Sequence, residues 1–180
     1  EATVNPLFDG TRSRDSDFHV LRNGSELFGA FIPPNVGTNY SAIVSLSSGS
    51  TLEFAVGRGA DGLTADTGLK IAAVITLATN APPVTTNPPP PVVHQDFDAG
   101  RDFSAANNPA GVWSYGWKGA LGGSYSNLTV QHTAMLNNGV VAPAWFFASG
   151  LAPGIYCNTS SVIGVFESGA AHVEPRTIWY

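Results

Sequence analysis

The sequence predicts an all-β protein with two β-rich parts joined by a proline-rich linker. Of its 180 residues, 43% are apolar, 11% aromatic and only 12% charged, which is enough apolar material for a packed core. Short runs of β-branched and aromatic residues alternate with turn residues, and long helical periodicity is missing. Prolines concentrate in the middle of the chain, in "TNAPPVTTNPPPPVVHQ". These three features favour strands on both sides of an extended spacer.

The first part, residues 1–78, contains five or six predicted strands. Asn23 and Gly24 stand between two strand-like runs, and this dipeptide supplies the positive φ angles that a type I′ hairpin needs. "SSGS" at 47–50 predicts a second turn. Alternation with a period of two predicts half-buried strands in "EATVNPLF", "YSAIVSL" (Tyr40, Ala42, Val44 and Leu46 on one face), "TLEFAVG" and "LKIAAVITL" (Leu69, Ile71, Ala73, Ile75 and Leu77 on one face).

The second part, residues 96–180, has the same pattern of short strand-like runs between turn residues and contains about five more predicted strands. They are short, rich in aromatic or β-branched residues, and separated by Gly, Pro and Asn. Both ends of the chain read as strands without a turn, as if cut. The runs are "GVWSYGW", "SYSNLTVQH", "PAWFFAS", "SSVIGVFE" and "RTIWY".

The linker, residues 79–95, is predicted to be extended and semi-rigid. Proline fixes φ near the polyproline II value and cannot donate to a sheet, so 17 residues would span about 50 Å. Each part alone would leave an apolar face and open strand edges. Each therefore needs a complementary half.

Charge and hydropathy exclude two classes of partner. A net charge of −5 and a pI of about 5.1 offer no basic surface for nucleic acid. The longest apolar run, residues 71–78, is interrupted only by Thr76 and is far shorter than a membrane span. The sequence starts at Glu1 without Met or a signal-peptide pattern, which suggests a removed leader or a longer polypeptide.

Three motifs resemble a jelly-roll-like β-sandwich family of secreted, surface-sorted bacterial proteins. "NNPAGVWSYGW" (107–117) resembles the family's "NPNGVWSYG", and "FHVLRNG" (18–24) resembles "DVHVLVNG". "GSTLEFAVGRGADGLTADTGLKI" (49–71) is similar to "GDTIDFAVGPGG…DSTGL". The resemblance covers about half of the chain and implies antiparallel jelly-roll-like sandwich halves and a location outside the cell or on its surface.

The motifs stand in permuted order, because the family's closing motif precedes its opening motif here. Residues 1–78 would be a C-terminal-type half and residues 96–180 an N-terminal-type half. Either the halves close on each other as a circular permutant, or each completes a half of the next copy. The stiff linker favours the second arrangement, a head-to-tail homopolymer. We therefore expect a structural subunit of an extracellular bacterial filament or surface fibre.

No motif predicts an enzyme or a cofactor. Asp96, Asp98 and Asp102 read as a solvated or turn-forming cluster, and Cys157 as a buried core residue. The four histidines lack the spacing of metal ligands; they are His19, His94, His132 and His172.

Two weaker kinds of site remain open. The glycine-rich turn 57–66 offers Asp61 and Asp66 as calcium ligands, although a plain turn is the favoured interpretation. Sugar attachment is possible at four sequons and in the linker, while chance occurrence of sequons is favoured. The candidates are Asn23, Asn39, Asn127, Asn158, Thr85 and Thr86.

Aromatic residues provide the alternative function, a carbohydrate-binding module in a monomeric permuted sandwich. Trp113, Tyr115, Trp117 and Trp145 are candidates for a glycan platform. Alternation would place the first three on one face, and the favoured interpretation is that this face is core. Exposed, coplanar rings would distinguish the two.

Overall fold

A computed structural model describes residues 1–8, 10–63, 67–77, 96–148, 151–166 and 169–180. The predicted all-β class is confirmed: strands dominate these residues, and Gly10–Arg12 forms a short 3-10 turn. The predicted linker 79–95 lies outside them. The strands are β1 Ala2–Pro6, β2 Ser16–Arg22, β3 Ser25–Ile32, β4 Thr38–Tyr40, β5 Leu52–Gly57, β6 Leu69–Thr76, β7 Asp96–Asp98, β8 Gly116–Trp117, β9 Ser126–Asn127, β10 Val130–Met135, β11 Val141–Ala148, β12 Leu151–Cys157, β13 Gly164–Phe166, β14 Ala171–Val173 and β15 Ile178–Trp179.

Two antiparallel sheets face each other across a common core. The larger has the order β10-β11-β12-β15-β6-β1-β4, with β7 also paired to β6; the smaller has the order β3-β2-β5. Phe18 and Val20 of β2 share the core with Val4, Leu69 and other side chains of the larger sheet. Alternate residues of β1 and β2 point into this core, as expected for a β-sandwich. Two short hairpins, β8-β9 and β13-β14, complete the described strands.

The hairpin predicted at Asn23 and Gly24 is confirmed. It joins β2 to β3, and the two turn residues have φ angles of 52° and 78°. The Asn23 side chain also accepts a hydrogen bond from the Thr51 amide at 2.9 Å. The turn is therefore anchored to the start of β5 as well as to its own strands.

Gly24→Ala is expected to lower the free energy of unfolding by about 1 kcal/mol, because an L side chain is disfavoured at positive φ. An added Cβ would meet no atom within 4 Å, so the effect isolates backbone conformation. Urea denaturation measures it. Gly119→Ala is the matched control, because that glycine has equal space without a positive φ. An equal loss in both variants would contradict the explanation.

The strand predicted in "YSAIVSL" is wrong beyond its first residue. Strand β4 ends at Tyr40, which pairs with Ala2, the first residue of β1. The residues between Tyr40 and the start of β5 at Leu52 are not in a strand, and Ile43 is 98% exposed. Alternation in the sequence does not show whether a neighbouring strand is present to pair with such a run.

The strand predicted in "GVWSYGW" is also largely wrong. Only Gly116 and Trp117 are in a strand, paired with Asn127 and Ser126. Upstream, Ala110 and Trp113 form an isolated bridge around a turn in which Gly111 has a φ of 57°. A glycine at positive φ breaks the extended run.

The two halves pair within one chain, although the sequence favours pairing across copies. Strand β6 of the first half binds β7 and β15 of the second half along one edge and β1 along the other. The terminal strands β1 and β15 thus lie one strand apart, as predicted for neighbouring ends, but in the same copy. Described strands of both parts therefore share the larger sheet, while the smaller sheet β3-β2-β5 belongs to the first part. In the single chain, the two parts therefore pair with each other.

Candidate functional site

The contact between the halves is the most extensive candidate site, and we call it the β6 seam. It consists of β6 residues 70–76 and the strands paired along their shared edge, β15 and β7. Ile71 pairs with Ile178 and Lys70 with Trp179, while residues 74–76 pair with residues 98–96. The ladder hydrogen bonds of this edge are therefore supplied entirely by the second half.

Both halves contribute to the main core. Of its fourteen buried members among the described residues, seven belong to the first half and seven to the second. A half without its complement would expose all of its own share, and burial of apolar area is the main stabilising term in folding. The shared members include Val4, Phe18 and Leu69 on one side and Tyr115, Trp145 and Ile178 on the other.

The chain has two lysines, and both form ion pairs across the halves. Lys70 donates to the His172 carbonyl at 2.9 Å and lies 3.4 Å from Glu174. Lys118 pairs with Glu53 of β5. The lysine side chains are only 14% and 15% exposed. Each half thus contributes one cation and one anion to the contact.

Tyr180 adds a polar contact between the halves. Its hydroxyl lies 2.8 Å from Ser16 Oγ and donates to the Thr67 carbonyl at 2.9 Å. Burial raises the pKa of the Tyr180 phenol above its usual value, so it stays neutral and can donate at physiological pH. The buried hydroxyl of Ser16 is thereby satisfied partly by the other half.

The "NNPAGVWSYGW" motif has a structural role. Asn108 donates through its side chain to the carbonyls of Tyr115 and Leu128 at 2.6 and 2.8 Å and accepts from the Tyr115 amide at 2.8 Å. Tyr115 is 5% exposed and donates to the Ala99 carbonyl at 2.9 Å. The motif therefore clamps a loop and inserts an aromatic ring into the core.

The four candidate platform residues do not form an exposed surface. Tyr115 and Trp145 are buried, and the Trp145 indole donates to the Ser104 carbonyl at 2.8 Å. Trp113 and Trp117 are half-buried, packed near Phe54 and Phe147 with ring centroids 6.4 and 4.7 Å apart. The structure favours the core interpretation of this group over a glycan platform.

The acidic cluster Asp96, Asp98 and Asp102 organises a turn. Asp98 Oδ1 accepts from the amides of Gly100 and Arg101 at 2.9 and 2.8 Å. Arg101 binds Asp102 at 2.8 Å and Asp96 at 3.1 Å. Its hydrogen bond holds the pKa of Asp102 below the usual value. This turn leads directly from β7 into the core.

The calcium candidates are not brought together by described contacts. Asp61 Oδ1 accepts from the Leu63 amide at 2.8 Å, and Oδ2 lies 3.7 Å from Arg14. Asp66 lies outside the described residues. Within the described part of the chain, no group of three or more acidic, histidine or cysteine residues is placed to hold a metal ion.

The sequons differ in accessibility. Asn23, Asn39 and Asn127 are exposed, whereas Asn158 is fully buried. The Asn158 side chain donates to the carbonyls of Val162 and Val173, both at 2.8 Å. These contacts favour a structural role for Asn158 over sugar attachment, because its amide is already bonded inside the fold. Thr85 and Thr86 lie outside the described residues.

Cys157, His19 and His132 make contacts within the fold. Cys157 is buried, donates to the Gly100 carbonyl at 3.5 Å, and burial raises its thiol pKa to about 12. His19 Nε2 lies 2.6 Å from Asp17 on the outer face of β2. His132 packs edge-on against Phe146, with ring centroids 5.0 Å apart. His94 lies outside the described residues.

Sequence reasoning missed the four charged residues that pair across the halves. They lie in different strands and loops, and Lys118 is 65 positions from Glu53. The sequence signal was the small number of lysines, only two in 180 residues, but it does not say where either side chain lies. Their partners depend on which strands meet, and local patterns do not contain that information.

No helix among the described residues has the length and apolar character to cross a membrane. No protein-family model, curated protein or solved structure matches the chain.

Proposed function

We propose that this protein is a structural subunit of an extracellular bacterial filament or surface fibre, in which each copy completes the sandwich of the next across the β6 seam. One observation carries the proposal. Thr76 and Asp96 are direct partners in neighbouring antiparallel strands, yet 19 residues connect them. Two residues are enough to join such strands. The surplus length has no use in closing the seam within one chain.

Exchange between copies preserves the contacts of the seam. In a head-to-tail arrangement, β7 and β15 of one copy would pair with β6 of another, with the same core and ion pairs. Such swapping is a low-cost route to association, since the two forms differ mainly in the connection. A proline-rich connection resists reversing direction and favours reaching outwards.

Head-to-tail exchange produces a filament when its rotation does not close a ring. Each junction would bury half of a domain core, far more than an ordinary interface of about 1,600 Å². The resemblance to surface-sorted bacterial sandwich domains supports the location outside the cell and a structural role. No described feature gives comparable support to glycan binding, because the candidate platform lies largely in the core.

The test is a disulfide across the seam. Thr76→Cys with Asp96→Cys places thiols at two exposed, directly paired positions. If copies exchange halves, oxidation of the concentrated protein should link different chains and give a ladder on a non-reducing gel. Buried Cys157 should not compete. Negative-stain microscopy of the same sample should show filaments.

The control pair is Thr3→Cys with Ala72→Cys, which are direct partners within the first half. Its disulfide should form inside one chain whether or not copies exchange. A Thr76–Asp96 variant that oxidises only within single chains, in a protein that remains monomeric when concentrated, would contradict the proposal.

A further inference from the structure

We infer that Glu53 and Lys118 determine which half-sandwich completes which, so that the partner selected through this ion pair is a second copy presenting the opposite half. This inference rests on the proposed function for its partner. Its physical basis, an ion pair coupling the two halves, holds in either arrangement.

The pair lies at the edge of the smaller sheet. Glu53 belongs to β5, which ends the order β3-β2-β5, and Lys118 follows β8 of the second half. The side chains are 24% and 15% exposed. Phe54, the next residue of β5, also meets Trp113 across the halves, with ring centroids 6.4 Å apart. An ion pair and an aromatic contact therefore both join β5 to the second half.

Because the Glu53–Lys118 pair is partly buried, it can distinguish a half-sandwich with the correct charge from one with the wrong charge. When one partner of a desolvated ion pair is removed, the other charge remains buried without compensation, and a like charge in its place adds repulsion. A half with the wrong charge at position 53 or 118 is thus rejected rather than merely bound less tightly.

The second cross-half pair is expected to contribute less. Lys70 is 14% exposed, but its partner Glu174 is 56% exposed and therefore screened by water and salt. Lys70 also donates to the His172 carbonyl, a bond that survives loss of Glu174. Glu174→Lys is accordingly the matched control for Glu53→Lys, with the same change in residue type and net charge.

The experiment uses charge exchange in four samples of the full chain: Glu53→Lys, Lys118→Glu, the double variant, and an equimolar mixture of the two single variants. Urea denaturation reports folding and sedimentation reports polymer. Each single variant should lose polymer by at least about tenfold relative to the unmodified chain, because a like-charge contact costs several times the energy of a tenfold change. Glu174→Lys should lose much less.

The double variant restores an opposite-charge pair within one chain and should recover the unfolding midpoint. In the mixture, the introduced lysine of one variant can meet the introduced glutamate of the other. The unchanged Lys118 of the first variant can likewise meet the unchanged Glu53 of the second. Both opposite-charge pairs form only between chains, so refolding the mixture should recover polymer in which the two variants alternate.

The outcomes separate the inference from the proposed function. Failure of the double variant to recover stability would overturn the inference, as would a loss in Glu174→Lys equal to that in Glu53→Lys. Recovery by the double variant without recovery by the mixture would support the ion pair as the coupling between halves while contradicting exchange between copies. Recovery in both samples supports the two together.

Discussion

Trp179→Ala is expected to lower the free energy of unfolding by about 3–5 kcal/mol, the usual cost of truncating a buried tryptophan. Trp179 is 2% exposed and stacks on Tyr156, with ring centroids 5.2 Å apart and planes 9° apart. Urea denaturation followed by far-UV circular dichroism measures the change.

Because of the position of β15, losing the Trp179 side chain should also weaken the β6 seam. Strand β15 has two residues and lies between β12 of its own half and β6 of the other. Trp179 pairs with Tyr156 on one side and Lys70 on the other. Because so short a strand has few hydrogen bonds of its own, its side-chain packing holds it in place. The variant should therefore loosen the contact between the halves as well as the packing around Trp179.

Met135→Ala is the control, since that side chain is 80% exposed and surface truncations usually change stability by less than about 0.5 kcal/mol. A loss below about 1 kcal/mol in Trp179→Ala would show that packing at β15 does not support the sandwich.

Local chemistry explains which parts of the fold could be predicted. The Asn23–Gly24 hairpin was predictable because its turn requires residues that tolerate positive φ, and few sequences satisfy that. Strand β6 was predictable because Leu69, Ile71 and Ala73 alternate towards the core. Burial of Cys157 followed from the frequency with which free cysteines are buried.

Pairing between distant segments explains what was missed. Strand β4 forms only where β1 lies beside it, and the burial of Asn158 depends on contacts with Val162 and Val173. Whether β6 meets β7 in the same copy is not a local property, because both arrangements use the same pairs. Local patterns predict strands and turns. Whether two strands pair within one copy or between copies depends instead on the chain topology, the linker and the protein concentration.

Asn158→Asp is expected to lower the free energy of unfolding by about 3–5 kcal/mol at pH 7, although the two side chains have nearly the same shape. The Asn158 amide donates to two carbonyls and its Oδ1 accepts from Ser160 Oγ at 2.7 Å. A carboxylate at this position could still accept from Ser160, but it has no proton to donate to the two carbonyls. The position has no exposure to water, so water could not replace the lost bonds. Urea denaturation at pH 7 measures the loss.

The penalty of Asn158→Asp should shrink as the pH falls from about 7 to about 4. Burial raises the folded-state pKa of the introduced carboxyl above its unfolded value, so the folded state takes up a proton first, and the protonated group can donate one of the two bonds. Asn127→Asp removes another sequon and adds the same charge at an exposed position, so it should stay within about 0.5 kcal/mol of the unmodified chain at both pH values. Equal stabilities of the two variants at pH 7 would contradict the structural role of Asn158. They would indicate that its side chain is accessible, like those of Asn23, Asn39 and Asn127.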